Sequence, residues 1–483
     1  MKSYNYLLAI HDDKLYSSII SKLGNPKILI GYNSSFKKTT EYYNAVDLYY
    51  CRYKKDILNS LPPLDSEILE ALEPYQINFL KICERLYKGS MCFEERLRFY
   101  YDHIRFWNFK LEQKKITHFI QYNVPHEGYD YLIYSLCKIK KIRTIFSYKL
   151  PVIKNILTKR YFIEDIHKHS RLYNENRLIT SPEELETSFK NLYYSIYPNK
   201  NNLEESLKFK TFSRIAKPNQ KNFFQEFDSL INSFRKYSIK STLKKIIKRI
   251  NFLHQFIYKN PYLISDKRLN KLYDNLVVNN IPSKPYIFFA LHYQPELSTV
   301  PLGNNLSDLN LVVDLLAWAG KKYGFNILVK RHPRIDKRLF FRPKDIYKRM
   351  NLHHNVILLD TKTDVTQIIE KATAVASITG STCWEAFLRK KPVLLFGSLI
   401  YENAPGTFKI ESKEDLLKVM EKIINNQVKI DELDIINYLK FLEEHTFDNV
   451  YQNSFFAAPS HLSINKLRNN FVDNLEKFIK DQT

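Results

Sequence analysis

Five short apolar runs stand out in the second half of the chain: Tyr286–Leu291, Asn326–Arg331, Val356–Asp360, Ala374–Thr379 and Pro392–Gly397. Each is rich in β-branched or aromatic residues and bounded by turn or polar residues, the pattern of strands buried on both faces. Between and after them lie segments of helix length: Asp308–Tyr323, Asp364–Lys371, Ser381–Lys390 and Lys413–Asn425. Strand alternating with helix at this spacing predicts a parallel sheet covered on both sides. Glycine sharpens the picture, because six of the chain's ten (Gly303, Gly320, Gly324, Gly380, Gly397 and Gly406) punctuate these runs. Residues 281–425 therefore read as a Rossmann-like domain.

The N-terminus repeats the pattern more weakly. Tyr6–Ile10 and Lys27–Gly31 read as strands around a helix at Lys14–Leu23, and Ile116–Tyr122, Tyr129–Lys138 and Arg143–Ser147 as a further β-α-β unit. Residues 1–150 are thus a second α/β domain with a helical insertion near 66–113. Residues 151–280 are Lys-rich and helix-patterned, a basic helical connector. Residues 426–483 read as helices, with Ile464–Lys480 expected to pack back on the first domain. Within the connector, Ile239, Leu243, Ile246, Ile247, Ile250, Leu253 and Ile257 fall on one helical face, with Lys240, Lys244, Lys245, Lys248 and Arg249 largely elsewhere. That pattern suits a core-facing helix with a solvated face or contact with an anionic membrane surface.

Composition narrows the function classes. At 483 residues the chain exceeds the about 250–300 that one core usually serves. No stretch approaches the roughly 20 apolar residues of a membrane span, and the apolar run before His11 is too short for a signal peptide, so the expected location is the cytosol, at most against the inner face of the membrane. Five cysteines without a C-x-x-C pair argue against a disulfide framework and a structural zinc site. The formal net charge of +23 suits an acidic substrate, polymer or lipid surface. It also permits nucleic acid, but no recognised nucleic-acid module appears and none is expected as a partner.

Ligands of an open α/β sheet bind beyond the carboxyl ends of its strands, which directs attention to the residues just after each run. His292, Gln294 and Glu296 come after the first, and Lys330, Arg331, His332 and Pro333 close the second. Thr379-Gly380-Ser381-Thr382 closes the fourth and opens a helix carrying Glu385. Gly380 permits a sharp turn, and Ser381 or Thr382 can cap the helix while free N–H groups face a phosphate; a simple N-cap uses the same residues. His332 suits a phosphate contact as well as a structural hydrogen bond. Lys330 and Arg331 point to opposite strand faces, so at most one serves a pocket. Asp-x-Asp, H-E-x-x-H, G-x-S-x-G and the Walker loop are absent from the sequence.

The blocks HYQPE (292–296), KRHP (330–333), TGSTCWEA (379–386), KPVLLFG (391–397) and YENAPGTF (401–408), with Asn123-Val124-Pro125-His126-Glu127 in the first half, resemble bacterial capsule and surface-polysaccharide synthesis proteins related to retaining β-Kdo transferases. The resemblance implies an α/β, GT-B-like architecture of two Rossmann-like domains facing a cleft, a metal-independent glycosyltransferase without a resident cofactor, and a nucleotide sugar held by the C-terminal domain. The His-Pro dipeptide is similar to that of bacterial sialyltransferases and implies a CMP-linked donor, Kdo or a related nonulosonate. His332 and Pro333 would then lie at the donor phosphate with Lys330, Gly380, Ser381 and Thr382. Glu385 would approach the ribose or cytosine, and His292, Gln294 and Glu296 would line the cleft. Glu127, beside His126, would act as base or nucleophile towards a glycan or glycolipid acceptor; the alternative is a loop that binds acceptor or caps a helix. Arg331, where the family pattern is acidic, and Cys383, where it is small, leave the donor open to UDP- or GDP-sugars. A non-catalytic polysaccharide-binding component of capsule assembly also remains.

Overall fold

A computed structural model describes residues 4–32, 40–87, 91–150, 159–169, 173, 179–198, 263–292, 297–332, 341–449 and 464–481. The basic helix expected at 239–257 lies outside them, as do Gln294, Glu296 and Pro333.

The N-terminal unit runs β1 (Tyr6–Ala9), α1 (Asp13–Leu23), β2 (Ile28–Gly31), β3 (Glu41–Asn44), α2 (Ala45–Tyr49), α3 (Lys55–Ser60), α4 (Ser66–Tyr87), α5 (Phe93–Gln113), β4 (His118–Gln121), α6 (Tyr129–Ile139), β5 (Arg143–Lys149) and β6 (Lys159–Ile163). After α7 (Thr187–Ile196) come β7 (Leu263–Ser265) and α8 (Asp266–Asp274). The C-terminal unit runs β8 (Tyr286–Ala290), α9 (Leu309–Tyr323), β9 (Asn326–Lys330), β10 (Phe341–Pro343), α10 (Ile346–Met350), β11 (Val356–Leu359), α11 (Val365–Lys371), β12 (Ala374–Ser377), α12 (Ser381–Leu388), β13 (Val393–Leu395), β14 (Thr407–Lys409) and α13 (Lys413–Ile424). The chain closes with α14 (Glu432–His445), β15 (Phe447–Asp448) and α15 (Ile464–Lys480).

Two sheets result, ordered β15-β6-β5-β4-β1-β2-β3 and β11-β9-β8-β12-β13-β14. The second is parallel throughout, and so is the first from β3 to β5. This is the two-sheet, GT-B-like α/β architecture. One departure concerns the edge of the first sheet. β6 pairs antiparallel with β5, and β15 with β6, so the first unit continues past residue 150 and borrows a strand from the tail.

Local chemistry fixes the elements. Asp12 caps α1 by accepting from the N–H groups of Lys14 and Leu15, both at 3.0 Å, and Asp308 caps α9 through Asn310 and Leu311. The central strands β1, β2 and β12 are buried on both faces, as their uninterrupted apolar runs require. α15 lies on α1, burying Phe471, Val472 and Leu475 against Leu8, Leu15 and Tyr16 of the first unit. No helix among the described residues is long and apolar enough to cross a membrane.

Candidate functional site

Each sheet has a point where successive connections diverge. From β8 the chain moves outward through β9 to β11, then returns to β12 and moves the other way through β13 to β14. From β1 it runs through β2 to β3, then returns to β4 and continues through β5 to β6. The crevices at the carboxyl ends of β8/β12 and of β1/β4 are therefore where ligands are bound in sheets of this kind. His292 and Thr379–Thr382 flank the first; His11 and Asn123–Glu127 flank the second.

At the C-terminal crevice, polar side chains use up the amides just before α12 and spare those inside it. The Thr379 N–H donates to His292 Nε2 at 3.1 Å, Ser377 Oγ lies 3.0 Å from that nitrogen, and the Gly380 N–H donates to Ser377 Oγ at 3.0 Å. Neither Ser381 nor Thr382 caps the helix: the cap residue is Gly380, which has no side chain to offer. The N–H groups of Ser381 and Thr382 consequently have no acceptor among the described residues and stand at the positive end of the helix dipole. Gly380 is required by close approach, since a Cβ there would meet Ser377 Oγ at 2.5 Å. The Tyr401 hydroxyl donates to the Gly380 carbonyl at 2.9 Å and fixes the turn from behind.

His292, expected to line the cleft, is instead buried, and Nε2 is spent on the Thr379 amide, which makes it the unprotonated nitrogen. Burial, with the neighbouring His332 adding to it, pushes this imidazole down to about 3. It is a neutral clip between β8 and β12 that positions the turn into α12.

β9 lies on the other side of β8 from β12, so His332 and the start of α12 follow strands that are two spacings, about 10 Å, apart at the same sheet edge. Lys330 shares its strand face with Leu328, which packs with Ile368, Ile369 and Ala386 of α11 and α12. Arg331 points the other way: its guanidinium sits 4.9 Å over the Tyr273 ring, bonded to Asn270. Of this pair, Lys330 is thus the one on the α12 side. It is buried, which lowers its pKa, while Asp360 and Asp364 pull it back up. Glu385, half-buried on α12, is pushed up by burial; Arg389 opposes the rise and Asp364 adds to it.

The N-terminal crevice has the opposite character. Asp130, 1% exposed, accepts from the Glu127 N–H at 2.6 Å and from Gln121 Nε2 at 2.8 Å. Gly128, at φ +83°, turns the chain from Glu127 into α6. Glu127 accepts from the Tyr129 hydroxyl at 3.2 Å, and burial followed by the Asp130 charge raises its pKa. His126 Nδ1 donates to the Val124 carbonyl at 2.6 Å, which fixes the ring's orientation. The His11 ring leans on Tyr32 with centroids 4.2 Å apart. Burial pushes His11 down to about 4, against the pull of Asp130 and with a push from His126. His11, Tyr32 and Asp130 were not anticipated from the sequence; the residue after the first strand of each unit is the signal that would have found His11.

α4 fastens the two crevices together. Arg85 donates through Nη1 to the Val300 carbonyl at 2.8 Å and through Nη2 to the His126 carbonyl. One turn back, Lys81 donates to Ser307 Oγ at 2.9 Å and Asn78 to Asn304 Oδ1 at 3.1 Å. The loop after β4 and the loop after β8 are therefore held by one guanidinium.

No family model matches the chain, and no curated protein matches it. Among solved structures it is similar over 98% of its length to the β-Kdo 2,7-transferase of KpsC from Thermosulfurimonas dismutans, covering 99% of that chain at 10% identity and a TM-score of 0.33. It is also similar to UDP-GlcNAc 2-epimerase from Methanocaldococcus jannaschii (12% identity, 91% of this chain and 99% of that one, TM-score 0.27). A glycosyltransferase from Rickettsia africae ESF-5 gives 11% identity, 99% and 100% coverage and a TM-score of 0.25. Likenesses of this size add nothing to what the two sheets show by themselves.

Proposed function

We propose that the protein is a glycosyltransferase that takes a sugar from a nucleotide-activated donor and passes it to a growing capsular or surface glycan. The observation that carries this reading is the pairing of the crevices. A helix start with two unspent amides beside Lys330 is fastened through Arg85 to a loop bearing a carboxyl of raised pKa. The donor is a CMP-linked Kdo or related nonulosonate, a choice that rests on the resemblance of the 292–408 blocks rather than on the geometry.

Breaking the glycosidic bond leaves negative charge on the nucleotide phosphate. The amides of Ser381 and Thr382, the dipole of α12, Lys330 and His332 stabilise that charge without having to reorganise. Glu127 acts on the acceptor side as base, or as nucleophile in a retaining route. A carboxyl held above its ordinary pKa is the stronger base once ionised. Asp130 and Gly128 aim it, and Tyr129 supplies a hydrogen bond.

Titration of the full chain with CMP, UMP and GMP, then transfer assays with the matching sugars, tests the reading. CMP binding with turnover of a CMP-sugar supports it. Turnover with UDP- or GDP-sugars alone rejects the donor, and donor binding without hydrolysis or transfer rejects the enzyme in favour of a polysaccharide-binding component.

A further inference from the structure

A second charged feature sits on the same sheet, two strands beyond β4 and the acceptor-side crevice. Arg160 on β6 is only 2% exposed, yet no carboxylate pairs with it among the described residues. Its Nε donates to Ser147 Oγ at 2.6 Å, and its Nη2 to the carbonyls of Tyr122 at 3.1 Å and Ser147 at 3.0 Å, with Asn123 Oδ1 at 3.5 Å. The guanidinium lies 4.6 Å from the Tyr122 ring centroid. Every one of these partners is neutral, and Nη1 has none among the described residues.

The surroundings add positive charge. Lys149 is the direct cross-strand partner of Arg160 on the same face of the sheet, and burial, followed by the Arg160 charge, lowers its pKa. Glu186 and Asp448 are engaged at 2.7 and 3.4 Å by Lys159, the neighbour of Arg160 on β6 that points to the other face. A buried cation normally has a counter-charge; among the described residues, the groups bonded to Arg160 are neutral hydrogen-bond acceptors, with Lys149 across the strand pair.

We propose that Arg160, with Lys149 beside it, forms an oxyanion-binding subsite at the carboxyl edge of the N-terminal sheet, and that its occupant is a carboxylate or phosphate group of the acceptor. Arg160 reaches the main chain at Tyr122, and the loop that starts there carries Glu127, so an acid group at Arg160 orients the same molecule whose hydroxyl meets Glu127. The subsite stands on the surroundings of Arg160; the identity of its occupant rests on the transferase reading.

The full chain is titrated calorimetrically with inorganic phosphate, glucuronate and, as a neutral control, glucose, at ionic strength matched with chloride. Both anions bind and glucose does not. Arg160→Lys, which keeps the charge but loses the fork, weakens both by about tenfold, the worth of one charge-assisted hydrogen bond. Lys149→Met weakens them severalfold. Because Arg160 also ties Tyr122 and Ser147, its variants can misfold; Lys149→Met, at a half-buried position, then carries the test. Anion binding no stronger than chloride, or unchanged in both variants, overturns the subsite. Phosphate binding without glucuronate binding makes the occupant free phosphate and overturns the acceptor. Binding is read without turnover, so a chain that transfers nothing yet binds glucuronate through Arg160 keeps the subsite and loses the transferase reading.

Discussion

The two crevices share a topology and differ in almost everything else. At β8/β12 stand two helix amides and the cation Lys330, with a neutral His292 behind them and His332 at the same sheet edge. At β1/β4 they are carboxyls and rings: Asp130, Glu127, His126, His11 and Tyr32. In the proposed transferase, the same strand order gives one half the part of holding an anion and the other that of handling a proton. The difference arises in the first few residues after each strand, where no core packing constrains them.

The largest effect expected from breaking this contrast is on the proton-handling side. Glu127→Gln keeps the shape and the Tyr129 hydrogen bond but removes the base, and turnover in a transfer assay should fall by about 10²–10⁴-fold with the melting temperature little changed. Full retention of activity would remove Glu127 from the chemistry. On the anion-holding side, His332→Ala should weaken nucleotide binding or turnover by about 10–100-fold, read by titration calorimetry, without unfolding a strand-end loop. A sharper probe is Ser381→Pro. Proline fits the first position of a helix, and Gly380 at φ −79°, ψ 148° already has the backbone that a following proline requires. The substitution deletes one amide hydrogen and leaves the helix, so phosphate affinity should drop about tenfold while circular dichroism stays the same.

Acid should act on stability as well. His292 and His103 are buried and pushed down to about 3 from 6.5, so the unfolded chain binds protons there that the folded one refuses. Stability from this source is fully present above about pH 6.5 and is lost as pH falls towards the folded value, by about 2 kcal/mol per fully buried ring at pH 5. His103→Gln, whose amide can still meet the Tyr53 hydroxyl, should flatten the acid limb of a melting-temperature profile by that one ring's share. An unchanged slope would mean that His103 titrates normally.

Legibility in the sequence followed charge. The C-terminal strands are unbroken apolar runs, and the expected segments agree with β8, β9, β11, β12 and β13 to within one or two residues at each end. β6 escaped because it opens with Lys159 and Arg160, both buried against expectation, so the run resembles a solvated connector. β3, Glu41-Tyr-Tyr-Asn, is half-buried throughout and gives no alternation. The polar residues after β9 and β12 stand at the strand ends where the sequence placed them, but the cap was misassigned. Whether Ser381 or Ser377 takes the Gly380 amide depends on His292, 85 residues from Ser377 in sequence. Arg85 carried no signal at all, since an arginine on an amphipathic helix looks like any solvated charge until both units are assembled.

That arginine also governs how the molecule opens. Its Nη2 bond to the His126 carbonyl stays inside the N-terminal unit while its Nη1 bond to the Val300 carbonyl crosses to the other, so parting the units breaks the second, with the Lys81–Ser307 and Asn78–Asn304 contacts, and leaves the first in place. Any parting of the two sheets therefore takes place at the face of α4 that meets the loop after β8, with the guanidinium still held to the loop after β4.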